Sequence, residues 1–343
     1  MAKPMARVLL LGSVVLLLGC RLAGRGWSQE PTAEGYKAGP GPYEVAVLLV
    51  NWHDDARDRD VPAKLYYPTT GDGPFPVIIF SHGLGGTREG YSYLGNHWAS
   101  HGYVSVHVQH KGSDDSVWRG SPDPMGASRR AAADPGNMVN RPRDISFAID
   151  RMERMNGEES PLQGRLDLEH VAVAGHSFGA YTTLAAAGEV FTLPGGRQVA
   201  LGDPRVKAAI PMSAPVPNKR GDLDAAFGKI VIPCFHMTGT KDDSPIGETT
   251  AAERRLPFDH SNASDQFLIT FAGGDHMIFS GRPRALGEGA RDAVFQNVIK
   301  QATVAFWDCY LRGSAEARTW LTDGGLKATL GADGVPEMKL LDR

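Results

Sequence analysis

A serine between two glycines is the residue pattern in this chain that most directly suggests chemistry. The pentapeptide GHSFG at residues 175–179 matches the G-x-S-x-G pattern, which presents a serine hydroxyl on a tight turn between a strand and a helix. So short a motif also arises by chance in a glycine-rich chain, and its context therefore decides. Residues 171–174 predict a buried strand before it, and residues 180–187 predict a helix after it. We therefore predict that Ser177 is a nucleophile.

A second glycine-rich segment offers groups that could stabilise negative charge. Residues 81–86, Ser-His-Gly-Leu-Gly-Gly, follow an apolar strand predicted over residues 76–80. Attack on a carbonyl group places negative charge on its oxygen, and backbone N–H groups held in advance stabilise that charge. Beside a G-x-S-x-G turn, one N–H comes from the residue after the serine and another from a loop that follows an early strand. These are the N–H groups of Phe178 and Leu84.

A serine hydroxyl needs a base to become nucleophilic, and three histidines follow Ser177 in the chain. His276 lies in a Gly-Gly-Asp-His segment directly after a strand predicted over residues 267–271, where a loop can return to the serine. His236 lies within a predicted strand, which favours a place in the core. His260 lies in a polar stretch, which favours a solvated side chain. We therefore predict His276 as the base.

The base in turn needs an acidic residue to orient it, and two adjacent aspartates compete for this role. Asp242 and Asp243 both follow a strand predicted over residues 230–237. A carboxylate at the carboxyl end of a strand can accept a hydrogen bond from the second nitrogen of the histidine. Position alone does not separate the two aspartates.

Strands that alternate with helices have to position these residues. Apolar runs predict strands at 45–50, 63–67, 76–80, 103–108, 171–174, 208–212, 230–237 and 266–270, and helical spacing predicts helices at 93–101, 143–155, 180–187 and 294–311. This alternation predicts the α/β class, with a mainly parallel central sheet and helices on both faces. Two insertions, residues 114–141 and 191–204, are predicted to be surface loops or to border the site as a lid.

Together these motifs resemble one branch of the α/β-hydrolases, which contains dienelactone-hydrolase-like proteins, platelet-activating-factor acetylhydrolases and cutinase-like polyesterases. The likeness extends over about residues 41–311 and includes the HGLG segment at 82–85 and the GHSFG segment. It implies the α/β-hydrolase fold and hydrolysis of carboxylic esters, of short acyl chain, through an acyl-enzyme. It also implies Asp242 as the acid, because the acid of this family lies three residues after the glycine that ends the strand, here Gly239.

Two departures and two alternatives accompany this resemblance. Val216 stands where the polyesterases carry a tryptophan after Ala-Pro, and position 177 is a serine where dienelactone hydrolase itself has a cysteine. The same triad serves peptidases and acyltransferases, and a non-catalytic binding lipoprotein of the cell envelope could keep the fold. The complete set of serine, aspartate and histidine argues against the binding protein.

The first twenty residues have the composition of an export signal. Lys3 and Arg7 precede an apolar stretch over residues 8–18 that is too short to span a bilayer comfortably. The stretch ends in Leu-Leu-Gly-Cys, which resembles a bacterial lipobox. We predict a lipoprotein-type signal peptide with Cys20 as the lipidated first residue of the mature chain, or an ordinary secretory signal cut a few residues later.

This signal sets the predicted organisation and location of the chain. Residues 1–20 are the signal peptide, 21–42 a flexible tether, 43–323 the hydrolase domain and 324–343 a C-terminal tail. The protein is expected to be exported to the bacterial cell envelope. The lipid anchor is its only expected contact with the membrane.

Composition limits the partners. The formal net charge of −3 gives no support for a nucleic-acid partner, and the expected ligand is a small-molecule or lipid-like ester. We predict no cofactor and no metal: His97 and His101 are four residues apart, but Trp98 stands where a zinc protease needs glutamate. Export permits a disulfide between Cys234 and Cys309, although the apolar surroundings of Cys234 favour a buried free thiol.

Overall fold

A nine-stranded sheet forms the centre of the residues that the computed structural model describes, which are Met1, 35–192, 195–216, 221–285 and 289–341. The chain separates into a short unit, Met1–Thr32, and a compact unit, Ala33–Arg343. The predicted signal peptide, Cys20 and the first part of the predicted tether lie outside the described residues. Within the described part, no helix is long and apolar enough to cross a membrane.

Eleven strands and nine α-helices alternate along the described residues. The strands are β1 Val45–Asp54, β2 Arg59–Pro68, β3 Phe75–Ser81, β4 Val104–Val108, β5 Leu166–His176, β6 Val190–Thr192, β7 Gln198–Ala200, β8 Val206–Met212, β9 Cys234–Lys241, β10 Gln266–Asp275 and β11 Gly334–Lys339. The helices are α1 Ser92–Ser100, α2 Pro124–Ala133, α3 Pro135–Gly157, α4 Phe178–Ala187, α5 Leu223–Phe227, α6 Leu256–His260, α7 Asp292–Arg312, α8 Ala315–Thr322 and α9 Gly325–Leu330.

The central sheet has the order β1-β2-β4-β3-β5-β8-β9-β10-β11. The six strands from β4 to β10 in this order pair in parallel. At the edges the pairing is antiparallel: β2 with β4, β1 with β2, and β11 with β10. Strands β6 and β7 form a separate hairpin. The predicted class, α/β with a mainly parallel sheet, is confirmed.

Both faces of the sheet are covered, which is why its central strands are continuous apolar runs. Successive side chains of β3 point to opposite faces: Ile78 and Phe80 belong to one buried cluster, and Val77 and Ile79 belong to another. Helices α1 and α7 cover the first face, and α3 covers the second. Cys234 is a buried free thiol in the sheet, as the apolar surroundings of its strand predict.

The folded domain is longer at both ends than the sequence predicts. The predicted C-terminal tail contains α9 and β11, and β11 pairs with β10 along the whole length from Gln266 to Phe271. The prediction of a tail is therefore wrong for residues 325–339. An edge strand is half exposed, so its sequence lacks the apolar run of an inner strand and tolerates Pro336. Within the predicted tether, Tyr36 is buried and its hydroxyl donates to the Asp308 carboxylate at 2.8 Å.

The first insertion is helical rather than a loop. Residues 114–141 contain α2 and the start of α3, each opened by an Asp-Pro pair. Asp123 and Asp134 cap these helices by accepting hydrogen bonds from Gly126 and Gly136. An aspartate at the N-cap followed by proline at the first helical position is a helix-start signal, and it was present in the sequence.

Burial of one carboxyl group predicts how the folding stability changes with pH. Glu189 follows the end of α4, and burial raises its pKa from 4.5 to about 8. The unfolded chain releases this proton near pH 4.5 while the folded chain keeps it until about pH 8, so folding stability falls between these values. We expect Glu189→Gln to remove this loss, which linkage puts at roughly 4 kcal/mol.

Thermal or urea unfolding from pH 4 to 9 measures this effect. The stability difference between the variant and the wild type should grow as pH rises to 8 and then level off. Glu159→Gln, at an exposed position of the same domain, serves as the control. Parallel stability curves for wild type and Glu189→Gln would contradict the assignment.

Candidate active site

The turn between β5 and α4 places Ser177 in a strained backbone conformation. Ser177 has φ 58° and ψ −120°, a region that non-glycine residues rarely occupy. A Cβ at position 175 would lie 2.3 Å from the carbonyl oxygen of Gly179, and a Cβ at position 179 would lie 1.9 Å from that of Ser81. The two glycines are therefore required because the turn packs backbone to backbone against itself and the end of β3.

The structure brings Ser177, His276 and Asp242 into one chain of hydrogen bonds. His276 directly follows β10, and its Nε2 lies 2.9 Å from Ser177 Oγ. Its Nδ1 lies 2.8 Å from Oδ1 of Asp242, which directly follows β9. Asp242 is fully buried, and its other oxygen accepts a hydrogen bond from Thr238 Oγ1 at 2.9 Å. This is the arrangement of a nucleophile, a base and an orienting acid.

The alternative residues lie elsewhere. The Asp243 carboxylate is exposed and accepts a hydrogen bond from the Ala251 N–H at 2.9 Å, so it is Asp242 that contacts His276. His236 is buried in β9 and bonds Gln266 at 3.0 Å. His260 pairs with Asp224 at 2.7 Å at the end of α6.

Two further residues contact the triad and were not found from the sequence. Ser213, directly after β8, places its Oγ 2.7 Å from Asp242 Oδ1 and 2.8 Å from His276 Nδ1. Arg254 is buried and donates to the backbone oxygens of Ser213 at 3.0 Å and Asp242 at 3.1 Å. Burial lowers the pKa of Arg254, and the neighbouring Asp242 opposes that shift. Ser213 had a signal, since it directly follows the strand predicted over residues 208–212; Arg254 had none.

Leu84 and Phe178, the predicted oxyanion donors, lie together beside Ser177. Phe178 opens α4, so its N–H belongs to the first turn, which has no acceptor within the helix. A Cβ at position 83 would lie 3.3 Å from Ser177 Cβ, which shows that the loop after β3 passes close to the nucleophile. The Leu84 side chain packs against Phe178 and Tyr181. The two N–H groups are thus carried by neighbouring residues at the serine.

A buried arginine holds these two segments in place. Arg141 in α3 is fully buried, and its guanidinium lies 4.5 Å from the centre of the Phe178 ring. It donates to Ser81 Oγ at 3.0 Å, Ser113 Oγ at 2.8 Å, Thr182 Oγ1 at 2.8 Å and the His82 carbonyl oxygen. No sequence signal predicts this role, because the partners come from three separate segments: the end of β3, the loop at Ser113 and α4.

The paired histidines do not form a metal site with other side chains. The His97 and His101 rings lie 4.6 Å apart at the end of α1. Among the residues that the structure describes, no group of three or more histidine, cysteine or acidic side chains is arranged to hold a metal ion.

Comparisons with known proteins show similarity to ester hydrolases. Residues 43–120 match the family model described as platelet-activating factor acetylhydrolase, isoform II. The chain is 29% identical over 164 residues to a platelet-activating factor acetylhydrolase of Cavia porcellus. The aligned region is 38% of this chain and 35% of that protein. It is 26% identical over 250 residues to cutinase est2 of Thermobifida alba. Here the aligned region is 72% of this chain and 67% of that protein.

A third relative is a bis(hydroxyethyl) terephthalate hydrolase of Streptomyces coelicolor, 26% identical over 261 residues, or 73% of this chain and 69% of that protein. This chain is similar to the acetylhydrolase and cutinase branch of the α/β-hydrolases. The resemblance predicted from the motifs is thereby confirmed, and these relatives are named for cleaving esters. The match spans 35% of the length of the Cavia porcellus acetylhydrolase and 51% of that of Canis lupus familiaris.

The two adjacent aspartates, Asp242 and Asp243, provide a matched pair of variants. Asp242→Asn removes the charge that contacts His276, and we expect ester turnover to fall by roughly a thousandfold or more. Asp243→Asn changes an exposed side chain that accepts a hydrogen bond from the Ala251 N–H and does not contact His276. This variant should therefore keep turnover within about twofold of the wild type. Turnover of a soluble ester by both purified variants measures this difference. Equal losses in both variants would contradict the role of Asp242.

Proposed function

We propose that this chain is a serine hydrolase that cleaves carboxylic esters of short acyl chain through an acyl-enzyme intermediate. The observation that carries the proposal is the hydrogen-bonded series of Ser177, His276 and Asp242 on a strained strand-to-helix turn. A serine in this setting is activated by the base beside it, which an isolated hydroxyl is not.

The first half of the reaction forms the acyl-enzyme. His276 Nε2 takes the proton of Ser177 Oγ, which attacks the ester carbonyl carbon. Negative charge develops on the carbonyl oxygen, and the N–H groups of Leu84 and Phe178 donate to it. Asp242 stabilises the imidazolium of His276. Transfer of the proton from His276 to the departing alkoxide releases the alcohol.

The second half releases the acid. A water molecule gives a proton to His276 Nε2 and attacks the acyl carbon, so that a second tetrahedral intermediate forms in the same oxyanion site. Its collapse returns the proton to Ser177 Oγ and frees the carboxylic acid. These steps need only side chains and backbone groups of this chain.

The surroundings of the oxyanion residues support a short acyl group. Leu84, Met138 and Phe191 pack against Phe178 and Tyr181, in an apolar cluster that includes the residue directly after Ser177. The acetylhydrolase relatives agree with this choice. Position 216, where polyesterases carry tryptophan, holds a buried valine whose N–H donates to Thr249 Oγ1 at 3.1 Å. This difference argues for a small ester over a polyester.

We also propose that the protein works outside the cytoplasm. The basic residues, the short apolar stretch and the Leu-Leu-Gly-Cys sequence at the N-terminus support an exported chain anchored by lipid on Cys20. Mass spectrometry of the mature N-terminus tests this location. A diacylglycerol-modified Cys20 supports the anchor, and an unmodified N-terminus beyond residue 20 contradicts it.

Hydrolysis of p-nitrophenyl esters from acetate to palmitate, together with bis(hydroxyethyl) terephthalate, tests the reaction and the substrate class. Residues 21–343 should turn over the acetate and butyrate esters fastest. Ser177→Ala should lose at least about a thousandfold in rate while its melting temperature stays close to that of the wild type.

Labelling with a fluorophosphonate separates the remaining alternatives. Wild type should react and Ser177→Ala should not, because only an activated serine attacks the phosphorus. Labelling without turnover of any ester would favour a peptidase or an acyltransferase. Neither labelling nor turnover would favour a binding protein and overturn the proposal.

A further inference from the structure

His176 lies between the nucleophile and the catalytic histidine, yet the mechanism above gives it no task. It is buried at the end of β5, directly before Ser177. Its Nε2 lies 2.9 Å from the backbone carbonyl oxygen of His276, and the centres of the two imidazole rings are 4.8 Å apart. His176 therefore contacts both the backbone and the ring of the residue that must face the serine.

The partners of His176 fix the direction of its hydrogen bonds. A carbonyl oxygen only accepts, so His176 Nε2 carries the proton that the His276 carbonyl receives. Burial lowers the pKa of His176 well below its ordinary value, so the ring is neutral and Nδ1 has a free lone pair. The Tyr91 hydroxyl, 2.8 Å from Nδ1, is therefore the donor in that bond.

Tyr91 continues the same series of bonds toward the loop that follows β3. Because its hydroxyl hydrogen is given to His176, its oxygen is available to accept, and the Gly83 N–H points to it at 3.4 Å. The chain of bonds thus runs from Gly83 through Tyr91 and His176 to the carbonyl of His276. Gly83 precedes Leu84, so one end of this chain lies at the oxyanion loop and the other at the base.

The backbone of Tyr91 is strained in a way that a structural role at the start of α1 does not explain. Tyr91 has φ 60° and ψ 25°, a left-handed conformation that is an outlier for a bulky residue. It occupies the N-cap position of α1, but its side chain makes no capping hydrogen bond. Its ring is buried between Phe80 and His176, at centre distances of 4.6 and 5.7 Å. Strain held at such a place points to function.

We propose that Tyr91 and His176 are positioning residues. Through the hydrogen bonds that link Gly83, Tyr91, His176 and the His276 carbonyl, they hold both His276 and the Leu84 loop in the correct position relative to Ser177. Neither residue touches the substrate. Loss of the chain lets the His276 loop and the oxyanion loop move independently, so that ground-state binding survives while the transition state loses its aligned groups. The kinetic part of this proposal rests on the proposed esterase reaction.

A pair of tyrosines separates positioning from ordinary support of the fold. Tyr91→Phe removes the hydroxyl from the chain. Tyr93→Phe, two residues later on α1, removes a hydroxyl that donates to the Phe279 carbonyl at 3.1 Å, in the same segment that carries His276. Tyr91→Phe deletes the bonds to His176 and from Gly83, and Tyr93→Phe deletes the bond to Phe279, so the melting temperature should fall in both variants.

Kinetics on p-nitrophenyl acetate should distinguish them. Tyr91→Phe should lower kcat by roughly ten- to a hundredfold, with KM within about twofold, whereas Tyr93→Phe should keep kcat within about threefold. His176→Gln, whose amide can still donate to the His276 carbonyl, should retain more activity than His176→Phe. Equal kcat values in the two tyrosine variants would overturn the proposal.

A direct measurement of the His176 proton does not depend on ester hydrolysis. Nitrogen NMR of protein labelled with ¹⁵N-histidine should show, at pH 7, a ring protonated on Nε2 and not on Nδ1 whose signals disappear in His176→Gln; this loss assigns them to His176 and separates them from those of buried His236, whose Nε2 faces Gln266. In Tyr91→Phe the Nδ1 resonance of His176 should shift, because its donor is gone. A ring protonated on Nδ1, or a cationic ring, would overturn the chain of bonds even where the enzyme is active. If wild type shows neither turnover nor fluorophosphonate labelling, the proposed function fails while the NMR result still decides the hydrogen-bond chain.

Discussion

The contact on which the site depends is a steric one between backbones, at the point where the turn after β5 meets the end of β3. No side chain fits at position 179, because a Cβ there would lie 1.9 Å from the carbonyl oxygen of Ser81. This contact draws the first turn of α4 onto the β3 loop, which brings the N–H of Phe178 and the loop residue Leu84 to the same serine. Ser177, with its positive φ, lies in this same turn. The strained backbone of this turn is thus held in place by its packing against the sheet.

The remaining members of the site follow from the order of the sheet. Strands β5, β8, β9 and β10 are consecutive neighbours and run in parallel, so their carboxyl ends meet along one edge. The first residue after each of these strands is, in this order, Ser177, Ser213, Asp242 and His276. Side chains that are far apart in the sequence become neighbours because of this one geometric rule. Arg141 in α3 and Arg254 in a short 3-10 helix, Ala251–Arg255, are exceptions, since neither directly follows a strand of the sheet.

This rule also explains how much could be predicted from the sequence. Ser177, His276 and the parallel sheet have strong local signals: a motif between a strand and a helix, a glycine-rich loop after a strand, and buried apolar runs. The choice of Asp242 over Asp243 depended on family resemblance, because both follow the same strand. Arg141 and Arg254 escaped prediction because a buried arginine is recognised by its acceptors, and those come from segments that only the tertiary fold brings together. The half-exposed edge strand β11 was missed because its pattern resembles that of a loop.

Strand β11 has a consequence for the order in which the protein is made. It covers the outer edge of β10, the strand from which the His276 loop emerges, and it lies at residues 334–339 of a chain that is synthesised from the other end. Until those residues are available, β10 is an open edge that can pair with other chains. A nascent polypeptide therefore carries its serine turn before its histidine strand is protected. Between the synthesis of β10 and that of β11, the open edge exposes the chain to aggregation and makes it a target for chaperones.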